Sequence, residues 1–222
     1  IENFQQISGL NLTGGKYPGN RSNEYAEKII EDLGFLWWTQ RVQFKLKDKR
    51  RLDFNYIGQN KDIIDIPQTY MGDALKLYLR STSSYKGYLK YIKDKYSLFN
   101  NERYLIFLYE NQLPITIQEH FQNAGTNGRR QRPNIFDDVV SLRRIYSILR
   151  GTDVWYATVN EIAKYIDAYR NTTIKKNGDS IFELLYNGKR TDICLTIRSE
   201  YKKIINVETG KIFTGYSKNR NY

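Results

Sequence analysis

Along residues 22–35, SNEYAEKIIEDLGF, apolar side chains return at Tyr25, Ile29 and Leu33 with polar residues between them, the spacing of one helix face. Ser22 or Asn23 supplies a cap, Glu24 and Glu27 suit the positive end of the helix dipole, and Gly34 supplies a stop. The following FLWWTQRVQF is apolar and then polar, which predicts a buried strand with a polar exit. DIIDIP, closed by Pro67, predicts another short buried strand. Between 71 and 100, Leu75, Leu77, Tyr78, Leu79, Tyr88, Leu89 and Ile92 fall at mixed helical spacing, predicting one or two helices broken at STSSYKG. The Gly, Pro and Asn of NLTGGKYPGN predict an irregular loop, and KLKDKRRLDFNYIG reads as a basic loop or hairpin.

Further on, YLIFLYENQLP is apolar and then polar without a clear period, whereas PITIQEHF predicts a short strand with His120 at its C-terminal end. NIFDDVVSLRRIYSILRG predicts a helix with Asn134 at its cap, acids early, arginines late and Gly151 at its end. DVWYAT predicts a strand, and TVNEIAKYIDAYRN a helix whose Thr158 and Glu161 have the spacing of a capping box. Alternating helices and strands imply an α/β domain with a largely parallel sheet over residues 1–174. After that the pattern changes: an Asn187-Gly188 turn sits between strand-like runs, and KKIINVETGKIFTGY repeats the hairpin pattern. Residues 175–222 are therefore expected to form a small antiparallel β unit.

Composition narrows the partners. A chain of 222 residues with 40% hydrophobic content has enough apolar material for a sizeable core. Lysine and arginine exceed aspartate and glutamate by 35 to 24, a formal charge of +11, so the expected partners are polyanions: nucleic acid, anionic membrane or an anionic polysaccharide. The lone Cys194 excludes an intrachain disulfide and a cysteine-rich zinc site. No apolar run reaches the roughly 18–20 residues that span a bilayer, so no membrane span is expected. The chain opens with Ile1 rather than Met and without a signal-peptide pattern, which suggests that translation starts upstream.

Little in the sequence carries chemistry by itself. His120 is the only histidine, and a lone histidine is read first as a hydrogen-bonded structural residue; its place at a strand's carboxyl end, where ligands of α/β folds bind, is the argument for function. Asp137 and Asp138 suit a helix's first turn more than a metal. GRRQRP is either a solvated basic loop or an anion clamp. No phosphate-cradling glycine loop, nucleophile elbow or zinc-ligand spacing is present, so metal ligands are expected to be absent. Of Trp37, Trp38 and Trp155, at least one is expected in the core, leaving others to stack on sugar rings.

Three stretches taken in order resemble the polysaccharide deacetylase (NodB-homology, carbohydrate esterase) family. GGKYPGNRSNEYAEKIIEDLGF is similar to the family's third motif and its helix, PITIQEHF to the late strand that carries a histidine acid, and VWYATVNEIAKYIDAY to the terminal strand and helix; together they span roughly residues 8–170. The resemblance implies an incomplete distorted (β/α) barrel, an acetylated or anionic polysaccharide as partner, and work at the cell envelope or outside the cell. It implies His120 as general acid and Lys16, Tyr17, Pro18, Gly19 and Trp38 at the substrate. The family's Asp-Asp and His-x-x-x-His motifs, which hold its catalytic base and its zinc, are missing here and would lie in an N-terminal portion. Lys16 stands where arginine is usual and Gly19 where tyrosine often is, although the Gly19 N–H still suits an oxyanion. Deacetylation is therefore expected only if the missing motifs are supplied. The alternatives are a nucleic-acid-binding protein, disfavoured because the basic runs fall in separate loops, and a structural interaction protein docking through its β unit.

Overall fold

A computed structural model of the chain describes residues 2–17, 23–40, 53–81, 88–120, 133–179, 181–188, 203–206 and 210–214. The chain divides into two compact units, Ile1–Asp167 and Ala168–Tyr222. Helices and strands are mixed in the first, and the described strands of the second are antiparallel.

The first unit begins with a short helix, α1 (Glu2–Ser8), and then β1 (Gly14–Lys16). The irregular loop expected at NLTGGKYPGN is thus partly a strand. Gly14 and Gly15 run directly against the indoles of Trp37 and Trp38, where a Cβ on either glycine would overlap the ring. The glycines serve close approach of backbone to ring rather than a bend. Helix α2 (Glu24–Asp32) is capped by Asn23, whose side chain accepts the Ala26 N–H at 2.8 Å, and Gly34 follows it at φ +69°.

Strands β2 (Trp37–Thr39), β3 (Asn55–Ile57) and β4 (Ile63–Asp65) complete a sheet of order β1-β2-β4-β3. β1, β2 and β4 are parallel, with Lys16 opposite Thr39 and Trp38 opposite Asp65; β3 is antiparallel to β4, the hairpin reading of LDFNYIG. Among the described residues these pairings form open sheets, with no closed barrel. One sheet face packs Ile63 and Tyr17 beneath Ile30 of α2, and the other packs Leu36, Ile64 and Ile66 against Ala163. The helix therefore buries Ile30, with Ala26 beside it, while the stripe read from the sequence, Tyr25, Ile29 and Leu33, is exposed.

A further parallel pair joins β5 (Tyr70–Met71) to β6 (Ile117–Gln118). Between them run α3 (Asp73–Ser81) and α4 (Tyr88–Glu110), so the ambiguous YLIFLYE is helical, its Tyr104, Leu105 and Leu108 buried against Tyr70, Ile145 and Leu149. The break foreseen at STSSYKG falls mostly outside the described residues. A 3₁₀ turn, Ile135–Asp137, capped by Asn134, leads into α5 (Val139–Leu149), and Gly151 then turns the chain at φ +81°. DVWYAT is not a strand: residues 153–158 are irregular, and Trp155 is 58% exposed with its edge against Tyr165. Among the described residues no strand pairs with this segment. α6 (Val159–Asn171) starts with the expected box, Thr158 and Glu161 exchanging bonds between side chain and backbone.

In the second unit β7 (Thr172–Lys176) pairs antiparallel with β8 (Phe182–Tyr186), and β9 (Lys203–Ile205) with β10 (Ile212–Thr214). β8 thus forms a hairpin with the preceding strand through the segment that contains Asn177-Gly178, which the sequence pattern had not marked. The proposed second arm after Gly188, with Cys194, lies outside the described residues.

Candidate functional site

Because β1, β2 and β4 are parallel, their carboxyl ends, Lys16, Thr39 and Asp65, lie at one edge of the sheet, the place where α/β folds bind ligands. From there a chain of side chains crosses to the second sheet. The Lys16 amine donates to Gln68 Oε1, in the link between β4 and β5, and the Gln68 amide donates in turn to Gln118 Oε1 at the end of β6. Gln68 is almost fully buried, and burial lowers the pKa of Lys16. A second polar group sits under α2: the Gln40 N–H donates to Asp65 at 3.2 Å, while the Gln40 amide donates to Glu27 at 2.6 Å. One residue thus ties a helix carboxylate to a strand-end carboxylate.

Tyr17 and Trp38 lie at the same edge but as packed rings. Tyr17 is 7% exposed, and its ring meets that of Trp38 edge-on at 5.3 Å, with Phe35 on the other side of the indole at 5.3 Å. Burial, followed by the nearby Glu27 charge, pushes the Tyr17 hydroxyl up to about 12, so it stays protonated across the physiological range. Among the described residues that hydroxyl and the Trp37 and Trp38 indole N–H groups are buried without a hydrogen-bond partner, Tyr17 and Trp38 on the α2 side of the sheet and Trp37 on the other. Pro18 and Gly19, together with the basic runs at 45–51 and 129–132, lie outside the described residues.

His120 follows β6 by two residues and is half-buried. Its Nδ1 lies 3.3 Å from the Pro133 carbonyl, and its own carbonyl accepts the Ile135 N–H at 2.6 Å. A carbonyl only accepts, so the contact places a proton on Nδ1 and leaves Nε2 of the neutral ring as an acceptor. Proton donation from this ring would come from the imidazolium, through Nε2.

Beside His120, Glu119 accepts the Gly72 N–H at 3.0 Å, and its carboxyl and that of Asp138 both crowd the Gly72 backbone. Burial, then the adjacent Asp138 charge, pushes the Glu119 carboxyl up to about 7. Asp138 does not serve its own helix: its oxygens accept the Ala74 and Leu75 N–H groups at 2.7 and 3.2 Å, and the Ser141 hydroxyl accepts that of Asp73 at 3.2 Å. Residues just after β6 and at the start of α5 thereby satisfy the unpaired donors that open α3. Asp137 does the local work, closing a capping box with Asn134. The sequence singled out His120 and Lys16 but not Gln68, Gln118 and Glu119, whose partners lie about 50 residues away. The one local sign was the polar QEH that ends an apolar strand.

Among the described residues no group of three or more histidine, cysteine, aspartate or glutamate side chains is placed to hold a metal ion. Zinc centres draw mostly on several imidazole or thiolate ligands, and the chain has one histidine and one cysteine. No helix among the described residues is long and apolar enough to cross a membrane. Comparison with family models, with curated proteins and with solved structures finds no match to this chain.

Proposed function

We propose that this chain is a glycan-directed protein of polysaccharide deacetylase-like architecture, whose sugar cleft lies at the carboxyl ends of β1, β4 and β6. The observation that carries the reading is the Lys16–Gln68–Gln118 chain, which links three strand ends across two parallel pairings. Amides and an amine in a row suit the hydroxyl and acetamido groups of a sugar, each able to trade a protein partner for a ligand one. Support also comes from two parallel pairs joined through helices: β1 and β2 with α2 between them, and β5 and β6 with α3 and α4 between them, as successive strands of a (β/α) barrel would be. A charge of +11 favours a polyanion such as an anionic polysaccharide, and the resemblance to the deacetylase family implies that the polymer is met at the cell envelope or outside the cell.

In this reading Lys16, Gln68 and Gln118 bind and orient the sugar. His120, fixed by Pro133, presents Nε2 to a leaving amine or alcohol as an imidazolium acid. The chain's own donor set assigns no step to a metal. The test is titration of N-acetylglucosamine oligomers and of an anionic polysaccharide, followed by calorimetry or amide chemical shifts. Lys16→Ala and Gln68→Ala are each expected to weaken binding by about fivefold, the worth of one net hydrogen bond. His120→Ala should leave affinity unchanged. Retention of oligonucleotides with no response to any glycan would overturn the reading in favour of a nucleic-acid binder.

A further inference from the structure

The N-terminus of α3 is closed by groups remote in sequence. Gly72 N–H goes to Glu119, Asp73 N–H to Ser141, and the Ala74 and Leu75 N–H groups to Asp138. The two carboxyls converge on one point: a Cβ placed on Gly72 would overlap both Glu119 Oε1 and the carboxyl of Asp138. Asp138 is 1% exposed, and its remaining contact is the Ser141 hydroxyl at 3.0 Å. Two carboxylates this close, with Asp138 fully buried and Glu119 half-buried, ionise together only at a cost, which a proton on Glu119 removes.

We propose that Glu119 and Asp138 form a proton-dependent clasp on the N-terminus of α3, closed while the pair holds one proton and loosened when both carboxyls are ionised. With the proton on Glu119, its hydroxyl donates to Asp138 and its other oxygen accepts from Gly72, while Asp138 keeps its charge for the helix dipole. With the proton gone, two like charges face each other across the Gly72 backbone.

The surrounding charges do not neutralise the second negative charge. Asp73, on α3, adds to the repulsion. The guanidinium of Arg144, on α5, is held by Asp73 at 2.5 Å, and its Nε lies 3.0 Å from Glu102 of α4, an ion pair without hydrogen-bond alignment. Lys76 donates to Asn101 at 2.8 Å, and the His120 ring turns toward Pro133. Since Glu119 stands between Gln118 and His120, opening the clasp would loosen the strand end that carries both. The clasp does not depend on what the cleft binds.

The direction of the pH effect follows from the raised carboxyl, near 7 when folded. The folded chain binds this proton more tightly than the unfolded chain, so the stabilisation is full below the ordinary carboxylate range and is lost as pH rises through 7. Between pH 6 and 8.5, hydrogen-exchange protection of the 72–75 amides, corrected for intrinsic rate, should fall by about tenfold at most. Glu119→Gln, which keeps an acceptor for Gly72 and a donor for Asp138, should abolish that dependence. The Glu119 side-chain carbonyl of the unsubstituted protein, followed by NMR, should titrate near neutrality. That last measurement decides the matter if the variant fails to fold. Protection independent of pH, a variant with the unsubstituted protein's profile, or a Glu119 that titrates with ordinary carboxylates would each overturn the proposal.

Discussion

Gly72 is a residue whose identity no local pattern explains. Its φ is not left-handed, so the chain does not need glycine for its turn; it needs the absence of a side chain where Glu119 and Asp138 meet. Gly72→Ala is therefore expected to destabilise the protein by about 1–3 kcal/mol, the usual cost of overpacking, and thermal unfolding would show it as a lowered Tm. Asp138 teaches the same lesson in reverse. Its type and place were legible as a first-turn acid, but its donors belong to another helix 63 and 64 residues away. Asp138→Ala strips two N–H groups of α3 of their partner in a buried site and should cost more than the loss of an exposed cap. A ΔΔG equal to that of Asn23→Ala would contradict this.

Elements with local signals came out as the pattern implied. α2 and α6 have their caps in the sequence, because a cap bonds within its own first turn. Asn23→Ala should cost about 1 kcal/mol, measured by denaturant unfolding. Glu161 receives the Thr158 N–H and hydroxyl bonds, which hold its carboxyl below the usual range. This support is present above the ordinary glutamate pKa and is lost as pH falls through the lowered one, so α6 should fray from Thr158 on acidification, visible as faster amide exchange there. Where the local pattern gave one answer, packing chose another. α2 carries one apolar stripe at Tyr25, Ile29 and Leu33 and another at Ala26 and Ile30, and the sheet took the second because Ile63 and Tyr17 face it. DVWYAT has strand composition, but among the described residues no strand pairs with it, and β8 pairs with the strand before it.

For the whole molecule, the charge of +11 makes long-range attraction to a polyanion a general property rather than one of a single loop. Binding to an anionic polysaccharide should weaken steadily with added salt, whereas binding of a neutral N-acetylglucosamine oligomer in the Lys16–Gln68–Gln118 cleft should change little. Equal salt sensitivity of the two ligands would show that the cleft is not the locus of the neutral contact. The division at Asp167 and Ala168 lies inside α6, a few residues before the change of pattern read near 174, since a continuous helix carries no break in periodicity at the point where contacts change.

The sequence by itself determined what depends on neighbours within a few residues: the caps at Asn23, Asn134 and Thr158, the stops at Gly34 and Gly151, the short buried strand at Ile63–Asp65, and the position of His120 just beyond a strand. Tertiary structure alone decided what depends on residues brought together across the chain. It set the parallel order of β1, β2 and β4, the burial of Tyr17, the row from Lys16 through Gln68 to Gln118, and the meeting of Glu119 with Asp138 over Gly72. The reason is physical: a cap or a period is fixed by backbone geometry over one or two turns, whereas a shared proton or a side-chain relay exists only once separate segments have been packed and dried together.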